Sequence, residues 1–168
     1  MLFLVVIVLA AATHRGTVSI KDLDFANFAY PSFAGLPAVH LRNGDYCSSG
    51  DYQTCVTLAS VVFGDVTGDG EPEAAVTLGA VFRYGNGSHT DGFLYTLRAG
   101  QPRLIGRFAG GDRGNGGIIK TAIRGQRLVV TRLQASCPAC TDATEEDTFK
   151  WNGRHLVLVS SSIHEENR

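Results

Sequence analysis

The sequence predicts a mainly β fold, a single antiparallel meander that curls into a sandwich or a partly closed barrel. The chain of 168 residues is long enough for one domain. It contains 20 glycines and is 44% hydrophobic, a composition typical of strands joined by tight turns. Short apolar runs end in turn dipeptides such as Asn43-Gly44 and Asn152-Gly153. After residue 35 there is little of the 3.6-residue apolar period that marks an amphipathic helix.

One short helix is predicted near the N-terminus, followed by eight or nine strands. The helix would span residues 21–29, where Phe25 and Phe28 are three positions apart. The strands are mostly joined as hairpins, which makes the sheet antiparallel, and curling protects its edges. They are expected at 38–42, 53–64, 73–83, 93–97, 103–108, 118–124, 127–134, 147–151 and 154–160. No linker divides the chain, so residues 13–168 should form one β-rich domain.

Residues 1–12, MLFLVVIVLAAA, are interpreted as a secretory signal peptide. The apolar run is shorter than the roughly 20 residues that a membrane-spanning helix needs, and its three alanines suit a signal-peptidase site. No Lys or Arg precedes the run. A buried N-terminal strand is the alternative interpretation. We expect a mature chain that begins near Thr13, has no transmembrane segment and is exported to the periplasm or the extracellular space.

The four cysteines agree with an oxidising compartment. Cys47 and Cys55 form one local pair across a turn, and Cys137 and Cys140 another around a Pro-Ala dipeptide. Two disulfides are the default in exported chains, although four cysteines allow three connectivities. A redox-active C-x-x-C and a zinc site are the alternatives. The first lacks the following helix that lowers a thiol pKa, and the second lacks the paired C-x₂-C spacing.

Residues 65–73, DVTGDGEPE, carry the clearest chemistry in the chain. Oxygen-bearing side chains stand at loop positions 1, 3, 5 and 9, and the Glu71 carbonyl would be the ligand at position 7. Ca²⁺ prefers several oxygen ligands of this kind. Gly70, which follows loop position 5, permits a sharp bend of the backbone there. An EF-hand is excluded because loop position 12 is Val76 rather than Glu, and because both flanking segments are strand-like rather than helical. The predicted ligands of one Ca²⁺ are Asp65, Thr67, Asp69, Glu71 and Glu73.

Residues 64–76, GDVTGDGEPEAAV, resemble the calcium loop of FG-GAP repeats in integrin-type and bacterial β-propellers. The resemblance implies ligation by Asp65, Thr67, Asp69 and Glu73 between two strands. Thr67 replaces the usual Asn or Asp, which should weaken the affinity, and Glu73 replaces the usual Asp. Because the loop occurs once and a propeller needs several blades, neither propeller architecture nor adhesion follows. The likeness extends to exported bacterial proteins that carry a single such loop.

Basic residues are concentrated between positions 98 and 132, where eight of them accompany one acid, Asp112. Seven of the eight are Arg, which binds carboxylate or phosphate bidentately. The segment could bind an anionic glycan, a lipid headgroup or an acidic partner, although a solvated strand face is the plainer interpretation. The net charge of −1 argues against nucleic acid. The candidate anion-binding residues are Arg103, Arg107, Arg113 and Arg124.

The sequence supports three hypotheses about function. The first is a non-enzymatic, calcium-stabilised β-domain that acts as a binding or envelope interaction module, with a protein or an anionic glycan as its partner. The second is an inhibitor or binder of a secreted hydrolase that uses loop 43–54 or 110–117. The third is a hydrolase that uses the calcium ion as a Lewis acid, which predicts a pocket beside Asp65. No H-E-x-x-H, G-x-S-x-G or S-x-x-K motif occurs, and Phe149 and Trp151 are expected to pack under the last hairpin rather than line a sugar site.

Overall fold

The computed structural model of the protein describes residues 18–50, 53–83, 87–112, 116–134 and 143–165. The described residues fold mainly into antiparallel β-strands, as predicted. Eleven strands follow two single-turn 3₁₀ helices at Ile20–Asp22 and Phe25–Asn27. In chain order they are β1 (Ala29–Tyr30), β2 (Val39–His40), β3 (Asp45–Cys47), β4 (Thr54–Gly64), β5 (Glu73–Phe82), β6 (Ser88–Arg98), β7 (Gln101–Asp112), β8 (Ile118–Ile123), β9 (Arg127–Gln134), β10 (Ala143–Trp151) and β11 (Leu156–Glu165).

The predicted N-terminal helix is two separate 3₁₀ turns. Ser19 and Asp24 each accept a hydrogen bond from a backbone amide of the following turn, so each turn has its own N-cap. Leu23 is extended between them and ends the first turn. The side chains of Leu23 and Phe28 pack against the buried core. Packing therefore replaces the continuous helix that the spacing of Phe25 and Phe28 predicted.

The strands form two meandering sheets that fit a β-sandwich. The five-stranded sheet has the order β3-β4-β5-β6-β7 and the four-stranded sheet the order β11-β10-β9-β8. Each pair of neighbouring strands is antiparallel and consecutive in the chain. In the part of the chain that is described, the two sheets stay separate rather than closing into a barrel.

The five-stranded sheet is covered on both faces. On one face Phe93 and Tyr95 of β6 pack against Tyr30 and Phe33 of the N-terminal segment. On the other face Leu94, the residue between them, packs against the four-stranded sheet. Successive side chains of a strand point to opposite faces, so a strand that is buried on both faces is almost continuously apolar. This explains the long apolar run of β5 and the shorter one at residues 93–95 of β6.

The described residues also bear on the predicted absence of a membrane span and on the predicted disulfides. No helix among them is long and apolar enough to span a membrane. The Cys47–Cys55 disulfide is present and joins directly opposed residues of β3 and β4, which confirms the first predicted pair. Residues 1–12, Cys137 and Cys140 lie outside the described ranges.

We predict that Gly92→Ala destabilises the domain by about 1–3 kcal/mol, because extra atoms in a packed core force side chains and backbone to shift. A Cβ built on Gly92 would overlap the ring of Phe108, which is buried in the core between the sheets. Gly79→Ala is the matched control, since its Cβ would meet Thr57 Oγ1 at an ordinary 3.5 Å. Thermal unfolding of both variants measures the difference, and equal melting temperatures would contradict the packing argument.

Candidate functional site

Four turns meet at one end of the sandwich, which we call the turn end. They are the β4–β5 loop (65–72), the β6–β7 turn (99–100), the β8–β9 turn (124–126) and the β10–β11 turn (152–155). Alternate turns of an antiparallel meander emerge on the same side, and contacts between the sheets bring the two sets together. A Cβ at Gly68 would lie 3.3 Å from Gln126 Oε1, and one cavity is shared by Thr67, Arg98 and Trp151.

The buried side chain of Glu73 holds the β4–β5 loop in place through hydrogen bonds. Glu73 is the first residue of β5, and its side chain is 0% exposed. The carboxylate accepts hydrogen bonds from the amides of Val66 (2.8 Å) and Thr67 (3.0 Å) and from the hydroxyls of Thr67 and Thr96 (both 3.2 Å). Burial raises the pKa of the Glu73 carboxyl, the backbone hydrogen bonds from Val66 and Thr67 oppose that shift, and the nearby Asp69 charge adds to it. The loop is thereby tied to both β5 and β6.

Two other predicted calcium ligands, Asp65 and Asp69, accept hydrogen bonds from amides of the same loop. Asp65 accepts from Gly68 (2.6 Å) and Gly70 (3.1 Å), and Asp69 accepts from Glu71 (2.9 Å). Gly68 and Gly70 have φ values of +82° and +88°, so the bend predicted at position 70 is present. Among the described residues, no three His, Cys, Asp or Glu side chains gather closely enough to form a metal-binding group. The loop is closed by its own hydrogen bonds, and calcium ligation stays a prediction.

Two cavities border this loop. One, of about 330 Å³, lies between the loop and the N-terminal segment and is lined by Ile20, Glu71 and Pro72. The other, of about 410 Å³, lies between the loop, the end of β6 and the β10–β11 hairpin. Asp69, Thr96 and Leu97 line both cavities. The loop therefore forms a wall of each cavity.

The candidate anion-binding residues do not form one surface. Phe93 of β6 pairs with Arg107, whose guanidinium lies 5.2 Å from the Phe93 ring centroid. Thr96 pairs with Arg103, and Phe93 and Thr96 point to opposite faces of the sheet. Arg103 and Arg107 are four apart and would share a face, but the bulge at Ile105 shifts the register by one residue. Arg124 is in the β8–β9 turn, 4.0 Å from Glu146, and Arg113 lies outside the described residues.

Arg132, which the sequence placed only in a basic segment, is part of a partly buried charge cluster. Its guanidinium forms ion pairs with Glu145 at 3.1 Å and with Asp147. The three residues lie on adjacent strands, where Arg132 is directly opposite Glu145. Asp147 is only 2% exposed. Its buried carboxylate therefore needs the Arg132 guanidinium as an ionic partner. The signal in the sequence was opposite charges on two strands that pair in the sheet.

Trp151 does more than was predicted for it. It packs against the core between the sheets together with Phe149, as expected for the last hairpin. It also lines the 410 Å³ cavity with Arg98 and Asp69. Sequence reasoning missed this role because the cavity is built from the β4–β5 loop, the end of β6 and the β10–β11 hairpin, which are distant along the chain.

The comparisons with known proteins give no further guide. No family model, no curated protein and no solved structure matches the chain.

Proposed function

We propose that the protein is an exported, non-enzymatic binding module that works through its turn end and is stabilised by one Ca²⁺ in the loop 65–73. The observation that carries this proposal is the position of the loop. The loop forms a wall of both cavities at the turn end. Binding residues of β-sandwich domains commonly lie on such loops, because loops tolerate sequence variation while the sheets keep them in position. An ion in this loop would fix the shape of the binding surface.

The charge of the loop supports a bound cation. Asp65, Asp69, Glu71 and Glu73 lie within nine residues, and no Lys, Arg or His of the described chain lies within ion-pair distance of any of them. A hard divalent cation with carboxylate, hydroxyl and carbonyl ligands would offset this concentration of negative charge. Ca²⁺ would be held by Asp65, Thr67, Asp69, Glu73 and the Glu71 carbonyl.

Export is supported by the disulfide. Cys47 and Cys55 are bonded to each other, and such bonds persist mainly in oxidising compartments. The predicted signal peptide at residues 1–12 agrees with this location. The binding module would therefore act in the periplasm or outside the cell.

We predict that excess Ca²⁺ raises the melting temperature of the mature chain by about 5–10 °C relative to excess chelator. Saturation at 100 times the dissociation constant adds about 2.7 kcal/mol, and each kcal/mol corresponds to a few degrees for a domain of this size. Asp69→Ala should remove the shift. Differential scanning calorimetry with and without Ca²⁺ measures it.

Glu71→Gln is the matched control, because it removes one negative charge from the same loop but leaves the carbonyl that would ligate the ion. It should retain the calcium shift. A melting temperature of the native chain that does not respond to Ca²⁺, or an equal response in Asp69→Ala, would reject the calcium part of the proposal.

A further inference from the structure

The 410 Å³ cavity at the turn end has the composition of a polar ligand groove. Its volume lies within the range of small-molecule sites, about 300–1,000 Å³. One Asp, one Arg, two Thr and one Trp line it together with Leu97, Ile105 and Gly153. The residues that matter here are Thr67, Asp69, Thr96, Leu97, Arg98 and Trp151.

Two opposite charges face this groove without ionic partners. Within the described residues, no carboxylate lies at ion-pair distance from Arg98, and no cationic side chain lies at that distance from Asp69. The described hydrogen bond of the Asp69 side chain uses one oxygen, Oδ1, which accepts from the Glu71 amide. The groove thus offers a bidentate donor for an anion and a separate acceptor for hydroxyl donors.

Trp151 supplies the apolar face of the groove. It is the only Trp of the chain, and its position is fixed because the side chain packs against the core between the sheets. An indole that is held in place and partly exposed presents a flat surface with little entropy to lose on binding. A sugar ring has an apolar face of similar shape and hydroxyls around its edge.

We infer that this groove binds an anionic saccharide, with the sugar ring against Trp151, the ligand carboxylate on Arg98 and ring hydroxyls on Asp69. The inference rests on the proposed function in one respect, because it takes the turn end as the binding surface. An extended peptide that adds a strand to a sheet fits less well, because β6, whose residues Thr96, Leu97 and Arg98 line the groove, already pairs with β5 and β7.

The test uses the fluorescence of Trp151, which reports directly on this groove. The mature chain is titrated with a hyaluronan tetrasaccharide, with the methyl ester of the same tetrasaccharide and with inorganic phosphate, each in Ca²⁺ and in chelator. We expect a saturable fluorescence change with the acid, at least about tenfold weaker binding of the neutral ester, and no equivalent change with phosphate. The loss of one charge-assisted hydrogen-bond pair corresponds to roughly that factor.

Two variants complete the test. Arg98→Gln should weaken binding of the acid at least about tenfold, whereas Arg154→Gln, which removes the same charge from the β10–β11 turn, should not. Equal binding of acid and ester, equal binding by the two variants, or a response to phosphate alone would overturn the inference. Asp69 is shared with the proposed calcium site, whereas Arg98 and Trp151 are not, so a saturable change in chelator separates failure of the calcium site from failure of the groove.

Discussion

Glu73→Ala is expected to lower the stability of the domain by about 3–5 kcal/mol, equivalent to a fall in melting temperature of about 10 °C or more. The substitution leaves two amides and two hydroxyls without the acceptor that they share in the native chain. An unmet buried donor costs about 1–3 kcal/mol, and the missing side chain also leaves a cavity beside the loop. Urea unfolding of the variant and the native chain measures the difference.

The same experiment distinguishes a structural brace from a calcium ligand. In excess chelator, loss of the hydrogen bonds should still destabilise Glu73→Ala by nearly the full amount. Glu71→Ala, which removes an exposed carboxylate from the same loop, should change stability by less than about 0.5 kcal/mol. If Glu73→Ala and the native chain have the same free energy of unfolding in chelator, the hydrogen bonds described for Glu73 do not stabilise the loop. The carboxylate would then contribute to stability only by binding a metal ion.

Arg132→Ala is expected to cost about 3–5 kcal/mol, because it leaves the buried carboxylate of Asp147 without its cation. Asp147 is 2% exposed and is paired with the Arg132 guanidinium. Glu145, which also faces Arg132 at 3.1 Å, adds a second carboxylate to the unpaired site. Replacing a buried pair as a whole is much less costly than removing one member, so Arg132→Met combined with Asp147→Leu should recover much of the loss.

Arg124→Ala provides the comparison for this cluster. Arg124 is 4.0 Å from Glu146, and its side chain is 60% exposed, so its loss should change stability by no more than about 1 kcal/mol. Chemical unfolding of the three variants ranks the effects. Similar costs for Arg124→Ala and Arg132→Ala would show that burial of Asp147 does not control the energy of the cluster.

Local sequence patterns were sufficient to predict the class of fold. Turn dipeptides and apolar runs placed nearly all the long strands, because both are properties of a few neighbouring residues. The pairing of Cys47 with Cys55 was also readable, since the two residues face each other across a short connection. The N-terminal segment was predicted less well, because packing of Leu23 and Phe28 against the core interrupts the helix that the spacing of Phe25 and Phe28 suggests.

The candidate site could likewise be predicted from the sequence only in part. The loop 65–73 could be located from its oxygen-bearing residues and glycines, and a ligand list followed from their spacing. The sequence did not indicate that Glu73 is fully buried and holds four donors, because one donor belongs to Thr96, on β6. Nor did it show that Trp151 and Arg98 share a cavity with Asp69.

By itself the sequence predicted the long strands, the turns between them and the position of the β4–β5 loop, because apolar runs and turn preference are properties of a few neighbouring residues. Only the tertiary structure decided which side chains meet. The bulge at Ile105 places Arg103 and Arg107 on opposite faces of the sheet, and one residue of register reverses every side chain that follows it. The packing of two sheets likewise brings distant turns together at one end, and this is determined by contacts between residues far apart in the chain.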